Sequence, residues 1–93
     1  MSSMQSKIIF PEDVLFHEVG GEAVILNLES GKYFGLDEVG TRMWVLLSEH
    51  GAIEPVVSAL LEEYEVEEEQ LRADLLKLID DLASHGLLQL DPA

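Results

Sequence analysis

The chain has 93 residues, with 5 Lys and Arg against 19 Asp and Glu, giving a formal charge of -14 at pH 7. That length holds one small domain with a core drawn from 47% apolar residues, and the charge argues against nucleic-acid and anionic membrane partners, which need a basic face. Cysteine is absent, which removes disulfides, thiolate zinc sites, iron–sulfur clusters and cysteine nucleophiles together.

Residues 1–11 read as a flexible tail, and 12–93 as the single folded domain. Met1–Ser6 lacks the apolar run of a signal peptide, and no stretch is long enough to cross a bilayer, so a cytoplasmic address is expected. From Val14 the texture is that of strands. A first strand over Val14–Glu18 leads into Gly20-Gly21, a dipeptide suited to the positive φ angles of a tight hairpin turn. The second strand is Ala23–Leu28. The turn Glu29-Ser30-Gly31 then reverses the chain into a third strand over Lys32–Leu36. Three strands joined by two tight turns form an antiparallel meander whose first and third members are edges.

After Leu36 the apolar period lengthens from two to about 3.6 residues. Asp37 is a favourable N-cap for a first helix with Val39, Met43, Trp44 and Leu47 on one face and a stop near Gly51. Pro55 suits the first turn of a second helix, whose apolar side is Val56, Val57, Leu60, Leu61 and Tyr64. A third helix is expected from about Glu67, a poor cap, to His85, with Gly86 as its stop. Leu87–Leu90 reads as a short closing strand or a cover for the core. The fold class is therefore α+β, a three-stranded antiparallel sheet followed by three helices. The acidic stretch Glu62–Glu69 reads as a solvated helix junction rather than a docking patch for a basic partner.

Little of this sequence points to catalysis. His17, His50 and His85 lie on three separate elements, without the close spacing that favours a zinc site. Ser30-Gly31-Lys32 lacks the earlier glycine of a phosphate-binding loop, and its lysine opens a strand rather than a helix. Carboxylates are plentiful, but nothing marks a pair for acid–base work. No serine sits in the Asp-Ser-Leu setting of an acyl carrier. No enzyme activity and no cofactor are expected.

Two features exceed what a plain core needs. The third strand is an edge with an aromatic on each face, Tyr33 and Phe34, and Lys32 as its one blunting charge; Gly35 removes a side chain where another backbone could approach. On the third helix, Leu71, Leu75, Leu78 and Leu82 form one line and Leu76, Ile79 and Ala83 an adjacent one. Together they span about 160°, against the roughly 100° needed to face a single core. An edge strand beside a leucine-lined helix describes a cleft for an extended peptide, which adds to the sheet by main-chain hydrogen bonds. The alternative reading is a winged-helix adaptor or dimerisation module, in which a second copy or a fixed partner domain covers the same edge.

The order and spacing of these residues resemble the PqqD-like proteins, also called RiPP recognition elements. The resemblance is carried by two Gly-marked hairpins, then Gly31-Lys32-Tyr33-Phe34-Gly35-Leu36-Asp37 and Gly40-Thr41-Arg42-Met43-Trp44. It continues through the Leu60…Tyr64 helix and Leu75…Leu78-Ile79…Leu82…Gly86-Leu87-Leu88, covering about Val14 to Leu90. Asp37 stands where the family often has Asn, and Ile53 where a capping Thr is common. The resemblance implies a winged-helix-like fold that holds the leader segment of a ribosomally made precursor peptide between the third strand and the third helix. It also implies delivery of the core segment to a modifying enzyme, such as a radical-SAM enzyme or a leader peptidase and cyclase. Carried over to this sequence, Lys32, Tyr33, Phe34, Gly35, Leu36 and Asp37 form the pairing edge, and Leu71, Asp74, Leu75 and Leu78 the helix side.

Overall fold

Gly20 and Gly21 both take positive φ, 63° and 87°, in the computed structural model, which describes residues 7–91. This two-residue turn joins β2 (Val14–Val19) to β3 (Glu22–Asn27), with Val19 opposite Glu22 and Val14 opposite Asn27. Turns of this mirror-image type match the twist of the strands they connect. The next hairpin leads to β4 (Tyr33–Leu36). It is closed by Asn27, whose Oδ1 accepts from the backbone N–H groups of Glu29 and Ser30 at 2.9 and 3.0 Å. Strands β2, β3 and β4 are the three expected from the sequence, in the order β2-β3-β4.

Three helices follow: α1 (Glu38–His50), α2 (Ile53–Glu63) and α3 (Glu68–Ser84). Asp37 caps α1, its Oδ1 accepting from the Gly40 N–H at 2.7 Å. Gly51, in the left-handed region, closes the other end. Neither Ala52 nor Glu67 contributes a side-chain cap to the following helices. Packing holds those helices instead. Val56, Val57 and Leu60 of α2 and Leu75, Ile79 and Leu82 of α3 are fully buried with Ile25 and Leu47.

Part of the segment expected as a flexible tail, residues 1–11, is a strand in the fold. Residues 1–6 lie outside the described residues, but Lys7–Ile9 is a strand, β1, paired antiparallel with a closing strand β5 (Gln89–Asp91). Ile8 is buried opposite Leu90, and its N–H donates to the Gly51 carbonyl at 3.0 Å. Burial of one isoleucine and pairing with a distant strand draw this segment into the domain. Phe10 then meets the buried Trp44 edge-on at 4.9 Å, while Phe16 stacks on the same indole at 6.3 Å. The closing strand therefore completes a separate ribbon with β1, and among the described residues β4 pairs with β3 alone.

Candidate peptide-binding groove

The phase of β4 decides which of its polar groups are free. Asn27 donates its N–H to the Lys32 carbonyl at 2.8 Å, and the register continues with Tyr33 opposite Leu26, Phe34 opposite Ile25 and Gly35 opposite Val24. Hydrogen-bonded and non-hydrogen-bonded pairs alternate along an antiparallel ladder. Phe34 and Leu36 consequently turn their main-chain groups toward β3, whereas Tyr33 and Gly35 point theirs away from the sheet. Among the described residues no strand pairs with that outer side of β4. Lys32 lies before the free edge: its N–H donates to Ser30 Oγ at 3.2 Å, and its carbonyl serves Asn27.

Side chains alternate with the main chain. Leu36 is buried and Phe34 half-buried on the inner face. Phe34 meets the His85 ring edge-on, centroids 5.2 Å apart. Tyr33 is 69% exposed on the outer face. The His85 contact places the end of α3 near the start of β4, and Asp37 reaches the same depression as Asp74 and Leu78. A furrow thus lies between the start of α1, just past the end of β4, and α3.

This furrow holds about 350 Å³ and is lined by Asp37, Val39, Gly40, Met43, Asp74 and Leu78. Three of the residues expected from the sequence, Asp37, Asp74 and Leu78, therefore share one depression. Leu75 is fully buried and Leu71 nearly so, so they support the wall rather than line the opening. The breadth of the apolar surface on α3 follows from this arrangement: Leu71, Leu75, Ile79 and Leu82 face the core while Leu78 turns to the furrow. Sequence reasoning put Val39 and Met43 on the apolar face of α1 without assigning them to a site. Their i, i+4 spacing just after the Asp37 cap is the signal that aligns them with it.

The furrow is acidic. Asp37 uses one carboxylate oxygen on Gly40, and Asp74 Oδ1 accepts from Gln70 Nε2 at 2.9 Å. Two of the five cations are engaged elsewhere. Arg42 pairs with Glu63 at 2.6 Å, and Arg72 with Glu54 and Glu68 at 2.7 and 2.9 Å. These hydrogen bonds from arginine hold the Glu54 and Glu63 carboxyls below the usual carboxylate range. They also place Glu63 and Glu68, members of the acidic stretch, in ordinary surface ion pairs. Among the described residues no group of three or more His, Asp or Glu is arranged to hold a metal ion, and no helix is long and apolar enough to cross a membrane.

Compared with known proteins, residues 22–88 match the family described as coenzyme PQQ synthesis protein D (PqqD). Among solved structures, TbiB1 in complex with the TbiA(beta) leader peptide is 37% identical with a TM-score of 0.81, covering 87% of this chain and 94% of that one. A lasso peptide synthetase B1 complexed with the leader peptide has a TM-score of 0.79 over 89% of this chain and 98% of that one; at 22% identity it bears on the fold alone. No curated protein matches the chain.

Proposed function

We propose, from the premise that this chain belongs to the PqqD family, that it binds the leader segment of a ribosomally synthesised precursor peptide. Binding is by strand addition to β4. The observation that supports the mechanism is the outer side of β4, unpaired among the described residues, where Tyr33 and Gly35 turn their main-chain groups outward, with a furrow between the start of α1 and α3 just past the end of the strand. The leader-peptide complex of the 37% identical TbiB1 supports the choice of ligand. Main-chain pairing supplies affinity with little sequence demand, and guest side chains entering beside Val39, Met43 and Leu78 supply selectivity. The protein acts without catalysis of its own, presenting the core segment to a modifying enzyme such as a leader peptidase and cyclase or a radical-SAM enzyme.

The test is titration of isotope-labelled protein with a synthetic leader, the TbiA(beta) leader being the first probe, while amide shifts are followed. Perturbations are expected along Tyr33–Asp37 and the Asp74–Leu78 face of α3; a pattern confined to other surfaces rejects the groove. Proline at Gly35 removes one outward N–H donor from an edge strand, a place where folds tolerate proline. Gly35→Pro is expected to fold and to lose binding. Retained affinity in that variant rejects strand addition. Sedimentation of the free protein separates this reading from the adaptor alternative, because a tight dimer that buries β4 leaves no edge for a guest.

A further inference from the structure

Strand β2 borders the sheet on the side away from β4, and among the described residues no strand pairs with its outer side. The phase of its main chain is fixed at both ends. Val19 and Glu22 flank the two-residue turn as a hydrogen-bonded pair. At the other end the Leu28 N–H donates to the Asp13 carbonyl at 2.7 Å. Alternation between these points turns Leu15 and His17 toward β3 and leaves the main-chain groups of Val14, Phe16 and Glu18 pointing away from the sheet.

Edge strands are ordinarily blunted by lysine, proline, a bulge or short length. β2 has none of these. It runs for 6 residues, Val-Leu-Phe-His-Glu-Val, in unbroken register with β3, and Leu15 and Val19 are 53% and 68% exposed on its outer face. Charge holds copies of this edge apart, because each chain carries -14 and like-charged chains repel. The same field attracts a basic strand.

Glu18 lies on the core side of β2 with Phe16, since their partners Ala23 and Ile25 are buried. It lines a depression of about 270 Å³ together with Glu38, Thr41, Arg42, Val45 and Tyr64. The Arg42 guanidinium is held by Glu63 through bonds of 2.8 and 2.6 Å. Among the described residues neither Glu18 nor Glu38 takes part in an ion pair. The depression therefore combines apolar surface from Val45 and Tyr64 with two uncompensated carboxylates.

We propose that β2 is a second docking edge, which takes an extended segment of a partner protein carrying Lys or Arg opposite Glu18. This goes beyond leader binding, which uses the other edge of the sheet. The partner segment pairs with the main chain of Val14, Phe16 and Glu18. Its basic side chain lays an apolar stem on Val45 and Tyr64 and brings its charge to Glu18 and Glu38. The residues on either side of it project onto the outer face beside His17 and Val19, where apolar side chains fit. A second copy of this chain does not supply the charge, because β2 contains no Lys or Arg.

The experiment is display selection of random linear peptides on Gly35→Pro protein, whose β4 edge lacks an N–H. Amide-shift mapping of a selected peptide on labelled wild type follows, with circular dichroism confirming that each variant folds. Selected peptides are expected to share a Lys or Arg between apolar residues and to shift Val14–Val19 and Thr41–Val45. Glu18→Pro, which removes an outward N–H from the edge, should lose the peptide and keep leader affinity. Glu18→Gln preserves the side-chain shape and tests the charge where proline is not tolerated; it should weaken binding about three- to tenfold, less at high salt. Failure to enrich any peptide, selected peptides without a shared basic residue, shifts confined to Tyr33–Asp37 and α3, or full affinity in both Glu18 variants each overturn the proposal. So does a wild-type dimer in sedimentation that Glu18→Pro renders monomeric, which gives the edge to a second copy. Leader affinity retained by Gly35→Pro rejects strand addition at β4 and leaves docking at β2 standing.

Discussion

Asn27 donates from Nδ2 to the Gly86 carbonyl at 2.7 Å, joining the end of β3 to the end of α3 across 59 positions of sequence. The same side chain organises the β3–β4 turn through Oδ1. One amide thus ties the turn that leads into β4 to the far end of α3. Asn27→Ala should lose about 1–3 kcal/mol of stability, the range expected when several hydrogen bonds to a half-buried side chain are lost. Asn27→Asp keeps the turn acceptor and loses the donor to Gly86. Urea unfolding of the two variants is expected to place Asn27→Asp between wild type and Asn27→Ala.

Ile8 tests the β1–β5 ribbon. It is 7% exposed and sits opposite Leu90. Ile8→Ala should destabilise the domain by about 2 kcal/mol, the lower end for a buried isoleucine because the ribbon is short. A shift in urea midpoint at unchanged slope is the expected readout, with leader affinity unaltered.

Acid should weaken the fold in a defined direction. Glu54 and Glu63 have folded-state carboxyl pKa values held below those of the unfolded chain by Arg72 and Arg42. Their contribution is present above the unfolded value and disappears as pH falls through the folded one. The Tm difference between wild type and Arg72→Met is therefore expected to be largest near neutrality, closing at pH values below about 4. Because both pairs are solvent-facing, added salt should shrink the difference as well.

Asp74 and Asp37 line the same furrow, so under the proposed function their charge is expected to favour a leader carrying Lys or Arg near that end. For such a leader, Asp74→Asn should weaken binding about two- to fivefold, as for an exposed ion pair. The loss should fade at high salt. Calorimetric titration at two ionic strengths measures both effects.

Much of this architecture is legible in the residues themselves. Gly20-Gly21 and Glu29–Gly31 mark the two hairpins, the Asp37 cap marks the change from strand to helix, and Gly86 the end of α3, because each is a local constraint on φ or on an orphan N–H. The ribbon is not legible in that way. Three residues with only Ile8 buried carry no readable alternation, and their partner lies at the opposite end of the chain. The broad leucine surface of α3 signals two neighbours without saying which residue faces which. Leu71 and Leu75 face inward, and Leu78 with Asp74 meets Asp37 only because α1 and α3 converge there. Gly35 stands out as a gap in an edge strand, but which main-chain groups of that strand are free depends on its pairing with β3, which only the register fixes.

In the β1–β5 pairing Lys7 sits directly opposite Asp91, so the two backbones are only about 5 Å apart. The unit can therefore be spliced as a cassette into a surface turn of a larger enzyme without stretching either junction. A tether attached at either of these points pivots about one common spot. Swapping the attachment from front to back would leave the reach to a neighbouring catalytic module almost unchanged.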